Sequence, residues 1–560
     1  MIEPMFPPGL VLFLVVLLPL VGNRGHGLLV LGLPLLTLAL VWSMPANYLL
    51  TLSFMGLELT PVSISATGRL FATVFALMAF VGALYGYRQA SKLEMAAGLV
   101  NAGSAIGVSL AGDLITLFVF WELLALSSTL VLWAANTTEA RRASMRYLLV
   151  HLFGGMVLLA GISGHVVATG SIALVPLQAD SVAHWLLLGG LLVNAGAPPL
   201  SAWVADSYPE ASPSGTVFLS AFTTKTAVFA LIMVFPGEKV LIGVGLYMMF
   251  YGIIYALLEN DMRRILAYSI VNQVGFMVTA IGIGTEMAIN GAAAHAFAHI
   301  IYKGLLLMAA GAVLYRTGKR KCTDLGGLFQ SMPWTTLLGI VGALSISAFP
   351  LTSGFISKSM ISQAAADQQL VAVWLALVAG SAGVFLHAGI KFPWFVFFQK
   401  DSGLRPPEPP ANMLWAMTLF AFGCLALGFY PAPLYAMLPY PVSYSPYTGA
   451  HLVAQLQLLL FAGLAFFVML PQMKRTLTIS LDFDWFYRRW LKRLSAMLVD
   501  QSSQGQQQWE AAARHRIERL NRWLVKHLGL NSRFARGLPT GSMVLWVTVL
   551  LWLLLLVFYR

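Results

Sequence analysis

The chain of 560 residues is 58% hydrophobic and only 10% charged, which excludes an array of ordinary water-soluble domains. Its 34 Lys and Arg against 22 Asp and Glu leave a formal net charge of +12, and in so apolar a chain that excess speaks first to membrane topology rather than to nucleic acid. Two cysteines, Cys322 and Cys424, are too few for a disulfide framework or a four-thiolate cluster, so the composition describes an all-α polytopic membrane protein.

A bilayer-crossing helix needs roughly 20 mostly apolar residues. On that rule sixteen spans are predicted, eight of them near 8–22, 27–44, 66–87, 95–112, 114–134, 146–168, 184–203 and 215–235. The others fall near 239–258, 265–283, 288–315, 336–360, 367–391, 411–428, 451–473 and 542–559. The first is short, but its start, Met-Ile-Glu-Pro, lacks the basic n-region of a signal peptide, so it is read as a span. Before the third span, residues 46–64 alternate weakly and predict a short external hairpin. Loops after odd-numbered spans hold 27 Lys and Arg, whereas loops after even-numbered spans, with the termini, hold 2. The other five, Arg69, Lys225, Lys303, Lys358 and Lys391, fall within spans. The positive-inside rule then makes the odd loops cytoplasmic and places both termini outside, in a bacterial-type inner membrane.

Two later stretches interrupt the spans. Residues 399–411 read as a Pro-rich cytoplasmic loop. Residues 482–530 are too polar to cross, yet they keep an apolar stripe at helical spacing: Phe486, Trp490, Leu494 and Met497, then Trp509, Ala513, Ile517, Leu520, Trp523 and Leu528. With Ser502-Ser503-Gln504-Gly505 between them, they predict a pair of cytoplasmic interfacial helices up to ~70 Å long. Such a pair would serve as a lipid anchor or as a lateral strut, pinned by the terminal span at 542–559.

An ionisable side chain inside a span is costly and is read as functional by default. Glu122 lies in the middle of the fifth span, with Asp113 nine residues earlier at its edge, and Lys225 lies inside the eighth. The eleventh carries His295, His299 and Lys303 at i, i+4 and i+8, one face of a helix. Lys358 follows a break in the twelfth, and His387 and Lys391 form an i, i+4 pair in the thirteenth. Histidines and desolvated lysines can exchange protons near neutral pH through intervening water. His165 and His184 are read as residues that bond a backbone carbonyl, and His151 stays open between the two readings. His295 and His299 have the spacing of a zinc pair but no third ligand, so no metal is expected. No dinucleotide fingerprint, P-loop or C-x-x-C occurs, so no cofactor is expected either.

The seventh span contains Pro198 and Pro199, and the twelfth contains Pro350, each followed by Leu and Ser or Thr. Proline removes a backbone donor, so both helices should be interrupted there, the sign of an ion site in two-fold transporter repeats. FLSAFTTK, ending at Lys225, echoes FLHAGIK, ending at Lys391. The predicted organisation is therefore N-terminal helices 1–94, five-helix repeats of opposite orientation at 95–235 and 236–398, two helices at 411–473, the lateral pair at 482–530 and the anchor at 542–559.

WEL around Glu122, ENDMRRILAYSIVNQVGFM at 259–277 and HAFAHIIYKGLLLMAAGAV at 295–313 resemble the antiporter-like proton-conducting membrane subunits. That family includes the large membrane subunits of respiratory complex I and the A and D subunits of multisubunit (Mrp) Na+/H+ antiporters. GFISKSM and FLHAGIKFPWFVFF look most like the antiporter's D subunit, whereas the lateral stretch and last helix are similar to the largest such subunit of complex I. The resemblance covers roughly 60–400 and implies roles. Glu122 matches the Glu of the fifth helix, which in the family pairs with a Lys of the seventh, and Lys225 matches the eighth-helix Lys that feeds a central row. His295, His299 and Lys303 match that row, and Lys358 matches the twelfth-helix Lys that leads to the outlet. One position departs: Asn194 stands where the family has its seventh-helix Lys. Asparagine carries no proton, so Glu122 either rests neutral or takes another cation, from Lys225 or from a partner subunit.

The expected function is a proton-translocating subunit of a multisubunit membrane complex, foremost Na+/H+ antiport of the D-subunit type, with no redox site of its own. Its expected partners are the other subunits, protons, Na+ and the bilayer, with no nucleic acid. Two alternatives stand beside it: a redox-driven pumping subunit of a complex I-like NADH-quinone oxidoreductase or hydrogenase complex, and a poorly conducting scaffold. Protons would pass from Glu122 through Lys225 and the His295–Lys303 row and leave by Lys358 or Lys391.

Overall fold

The structure, a computed structural model, describes residues 6–21, 23–471, 482–528 and 540–559. It divides into two units, Met1–Asp484 and Trp485–Arg560. Among the described residues thirteen helices are long and apolar enough to cross a membrane, and three shorter apolar helices stand at the first, seventh and twelfth predicted positions.

The first unit begins with α1 (Pro8–Leu20) and α2 (Leu33–Ser43). The hairpin expected at 46–64 follows, as antiparallel β1 (Leu49–Phe54) and β2 (Leu57–Ser63). Next come α3 (Ala66–Gly86), α4 (Lys92–Leu110), α5 (Leu114–Trp133) and α6 (Thr138–Thr169). Then follow α7 (Val182–Ala195), α8 (Pro213–Val234), α9 (Val240–Leu258), α10 (Met262–Ile283) and α11 (Glu286–Thr317). The unit continues with α12, in two halves (Pro333–Ile346 and Ser353–Asp367), α13 (Val371–Phe398), α14 (Ala411–Phe429) and α15 (Gly449–Val468). Helices α8, α10 and α11 are buried almost throughout, so they form the centre, while α5, α6 and α13 keep one exposed apolar side.

Short polar residues set the helix starts. Ser65, Ser91, Thr137, Ser181, Ser212, Thr285 and Thr448 each accept a hydrogen bond from a backbone N–H of the first turn they precede. Asp113 does the same for α5, accepting from Thr116 N and Thr116 Oγ1 at 2.7 and 2.6 Å, and its other contact is Thr60 N of β2 at 2.7 Å. This carboxylate at the edge of the fifth span is therefore a helix cap that also ties the hairpin down.

Among the described residues three of these helices are broken. α7 stops at Ala195, passes through Gly196 at φ +79° and the Pro198-Pro199 bend, and resumes as a short turn at Trp203–Ser207. α12 parts between Ile346 and Ser353, around Pro350, with Ala348 and Leu351 at positive φ. Its second half starts so close to the first that a Cβ on Gly354 would stand 1.8 Å from Ser345 O. The third break, in α8 at Phe222 between Pro213–Ala221 and Thr223–Val234, has no proline and was not expected from sequence. α13 is continuous, but its stretch Phe385–Lys391 is wound as a π-helix, a form often found at functional sites.

The second unit corrects one expectation. The interruption predicted at Ser502–Gly505 is absent, and a single helix, α16 (Leu491–Leu528, 38 residues), runs through it after a π turn at Phe486–Trp490. One internal glycine costs about 1 kcal/mol relative to alanine, too little to stop so long a run of helix formers. Residues 529 and 530, the end of the predicted lateral stretch, lie outside the described residues. The last helix, α17, spans Thr540–Phe558.

Candidate functional site

The 3.6-residue period places His295, His299 and Lys303 on one face of α11, and all three are fully buried. Their partners come from the helices packed on that face. His295 Nδ1 lies 2.9 Å from Ser357 Oγ on the second half of α12, and its Nε2 lies 3.2 Å from Gln273 Oε1 on α10. Tyr302 donates to the same Gln273 oxygen at 3.0 Å. Lys303 Nζ donates to Ser269 Oγ at 2.8 Å, and neither ring nitrogen of His299 has a hydrogen-bond partner. His299 is thus a buried imidazole with both nitrogens available to water or to a moving proton.

No carboxylate touches the lysines of this row. Apart from Lys303, held by the Ser269 hydroxyl inside α10, each ammonium of the cluster instead meets backbone oxygens where a helix is interrupted or ends. Lys225 Nζ donates to Ser220 O at 2.7 Å, an oxygen next to the α8 break, and to Thr224 Oγ1 at 3.0 Å. Lys358 Nζ donates to Ile346 O at 2.7 Å, the last residue of the first half of α12, and sits 5.0 Å from the centre of the Phe276 ring. Lys391 Nζ takes three carbonyls at the end of α9, Ala256 O at 3.0 Å, Leu257 O and Glu259 O both at 2.6 Å. Unsatisfied carbonyls at a helix C-terminus carry partial negative charge, so they hold a cation without holding a proton. This answers a puzzle of the sequence, in which buried bases outnumber buried acids.

The basic groups also lie within electrostatic reach of one another. His299 feels Lys225, Lys303, His295 and Lys358, and His387 feels Lys303, Lys391 and Lys358. The structure therefore brings Lys225, His295, His299, Lys303, Lys358, His387 and Lys391 into one cluster. His387 Nδ1 pairs with Gly383 O at 2.8 Å, leaving Nε2 without a partner. Lys358 and Lys391 lie toward opposite ends of α10. Lys391 adjoins Glu259 just before it, whereas the cavity at Lys358 reaches His451, which also borders Thr285 just beyond its other end.

Glu122 stands apart. Its Oε1 has no hydrogen-bond partner among the described residues, and Lys225 bonds Ser220 O and Thr224 Oγ1 instead, so the pairing with Lys225 that the sequence allowed does not occur. The carboxylate rests against α6, where a Cβ on Gly155 would stand 1.9 Å from Oε1. The neighbouring Gly154 faces α7, with Val193 Cγ1 2.9 Å and Asn194 Oδ1 3.7 Å from its virtual Cβ. Asn194 Oδ1 is likewise unpartnered, as is Nε2 of His151 one turn earlier on α6. A hydroxyl chain leads inward from there. Tyr147, stacked 3.8 Å from His151, bonds Thr223 at 3.0 Å beside the α8 break, and Thr223 lies 3.4 Å from Ser128.

Other expectations change in detail. His165 bonds His184 at 3.0 Å rather than a carbonyl, and His184 in turn meets Gln178 O and Asp180, each at 2.8 Å. Sequence reasoning passed over Ser269, Gln273, Tyr302 and Ser357, although all four lie inside the quoted motifs. Uncharged residues in a span carry no cost signal, so only packing reveals them. Among the described residues no cluster of three or more His, Cys, Asp or Glu could hold a metal ion.

With this geometry in view, the similarity to known proteins is informative. Residues 111–384 match the family described as NADH:quinone oxidoreductase/Mrp antiporter, TM. It is 30% identical over 362 residues to a probable K(+)/H(+) antiporter subunit of A/B type from Rhizobium meliloti (strain 1021), covering 60% of this chain and 36% of that one. It is 28% identical over 350 residues to the D subunit of the Na(+)/H(+) antiporter of Alkalihalophilus pseudofirmus, covering 59% of this chain and 71% of that one. The solved Mrp complex from Dietzia sp. DQ12-45-1b contains a chain of the same fold, at TM-score 0.77 and 24% identity, with 88% of this chain and 59% of that chain covered. The chain thus spans little more than a third of the first relative and under two thirds of the solved chain.

Proposed function

We propose that this chain is a proton-translocating subunit of a multisubunit membrane complex, of the cation/H+ antiport type. The carrying observation is the buried cluster from Lys225 through His299 and Lys303 to Lys358, held by hydroxyls and helix-end carbonyls instead of carboxylates. A lysine in such a cradle can lose and regain its proton without stranding a partner anion. Protons pass along the row and leave by Lys358, and Lys391, at the other end of α10, serves the opposite side of the membrane. The Lys and Arg distribution puts the loops after α9, α11 and α13 in the cytoplasm and both termini outside, which makes Lys358 the outward-facing end and α16 a cytoplasmic element. Helices α4–α8 and α9–α13 are read as two repeats of opposite orientation. Breaks in both α7 and α12, and irregular winding in the echoed segments of α8 and α13, support that reading. Partner subunits supply the driving gradient or redox work.

The test is Lys303→Ala and Glu122→Gln in everted vesicles carrying the whole complex. ΔpH formation falls by about a hundredfold for Lys303→Ala if the row relays protons. Wild-type ΔpH in both variants sinks the proposal. One observation favours a second reading, a poorly conducting scaffold: Glu122 has no cation, and Asn194 occupies the position where the family places one. Under that reading both variants transport as slowly as the wild type.

A further inference from the structure

Two cavities meet at the start of α15. The inner one, about 540 Å³, runs past Phe276, Lys358, Ser381 and Gln455. The outer one, about 720 Å³, is lined by Thr285, Glu286, Asp367, Tyr444 and Thr448, from the junction of α10 with α11, the end of α12 and the segment after α14. Two residues line both, His451 and Gln363. They close the passage with a hydrogen bond of 3.0 Å between His451 Nε2 and Gln363 Oε1.

The bonds around this pair assign its protons. Gln363 Nε2 donates to Asp367 Oδ1 at 2.7 Å, and a carboxylate only accepts, so the amide oxygen must face the imidazole. His451 Nε2 therefore carries a hydrogen. Nδ1, the other ring nitrogen, lies 3.3 Å from the Tyr444 hydroxyl. The titratable groups facing His451 are Lys358 across the inner cavity and Glu286, Asp367 and Tyr444 on the outer side. Both outer carboxylates favour positive charge on the ring over positive charge deeper in.

We infer that His451 is the outlet relay and Gln363 its latch, joining Lys358 to the outer vestibule. This rests on the proton-translocating reading above. The Lys358 ammonium loses a proton into the inner cavity, where an N–H bond breaks, and once the latch opens the neutral His451 imidazole gains it at its unprotonated nitrogen, where an N–H bond forms. The imidazolium, drawn toward Glu286 and Asp367, then gives one proton to vestibule water and returns to the neutral ring. Lys358 is left neutral, ready for the next proton from the row. While the latch is shut, the two cavities do not share a continuous water path.

The test uses the intact complex in vesicles, with His451→Ala, His451→Gln and Lys358→Ala. His451→Ala lowers transport by about a hundredfold, and imidazole added on the vestibule side restores a large part of it. His451→Gln keeps a hydrogen bond toward Gln363 but cannot carry a proton, so it is as slow as His451→Ala. The thiol of Ser362→Cys, in the inner cavity, is labelled from the vestibule side severalfold faster when combined with His451→Ala. Transport within twofold of wild type in His451→Gln overturns the assignment. So does a loss in His451→Ala that imidazole leaves unchanged while the complex assembles normally. Wild-type transport in Lys358→Ala is a different failure, because it removes the proton reading itself.

Discussion

Around Lys303 the protein surrounds its buried ammonium groups with oxygens, whereas around Glu122 it surrounds a carboxylate with glycine and unpartnered polar atoms. The first region lies in the fully buried centre, on helices that pack on every side, and its lysines draw on the carbonyls of broken or ending helices. The second lies at the half-exposed flank of α5, α6 and α7, where Val119 and Leu126, one turn either side of Glu122, are exposed. A buried cation can be balanced by backbone dipoles that every helix end supplies. A buried anion needs donors, and at Glu122 this chain provides none through Oε1. On the proposed reading, the completed part of the path lies inside the chain and the unfinished part on its surface, where another subunit can supply what is missing.

Predictions that test this contrast run from large to small. Lys225→Met removes the ammonium held at the α8 break, and transport should fall by about a hundredfold in vesicles. A variant as active as wild type would mean that the row does not begin at α8. Gly155→Ala puts a methyl group where Glu122 Oε1 now lies, so the carboxylate must move. If Glu122 takes part in transport, the rate should fall about tenfold, matching Glu122→Gln, and an unchanged rate would make the flank a scaffold surface. Asn194→Lys offers the missing cation, and transport should rise severalfold if that charge is limiting. Lys391→Met should lower stability by about 2 kcal/mol through loss of its three carbonyl contacts, read as a fall in Tm of the solubilised complex. A larger loss of transport than of stability would move Lys391 from helix cap to relay.

The smallest effect is expected outside the spans. Burial alone would raise the Glu210 carboxyl, but hydrogen bonds and charge from Arg320, with Arg263 and Arg264 nearby, hold it below its usual range. A carboxyl depressed in the folded state stabilises above its unfolded pKa, and that contribution disappears as pH falls through the folded value. Tm should therefore fall on acidification below the ordinary carboxylate range, and Glu210→Gln should flatten that slope by about 1–2 °C.

Much of this was legible in the chain itself. Length and apolar composition found the thirteen helices long enough to cross a membrane, proline marked two of the three breaks, and the cost of burying charge singled out the row on α11. The α8 break carried no such mark, because the backbone there departs from the helix at Phe222 without losing a donor. The carbonyl cradles were equally invisible. They join Lys391 to a helix more than 130 residues earlier, a relation that no local spacing encodes. Asp113 drew attention as a charge at a membrane edge, yet its position three residues before Thr116 was already the spacing of a helix cap. The lateral stretch failed in the other direction: a Ser- and Gly-containing segment looked like an interruption because local composition was weighed without the 38-residue helix around it.

The contact between Gly354 and the carbonyl of Ser345 has a genetic consequence. Position 354 holds no charge and makes no chemistry, yet any larger residue there would wedge the two halves of α12 apart, one turn before Lys358. In a saturation library selected for transport, this codon should tolerate as few alternatives as that of Lys303.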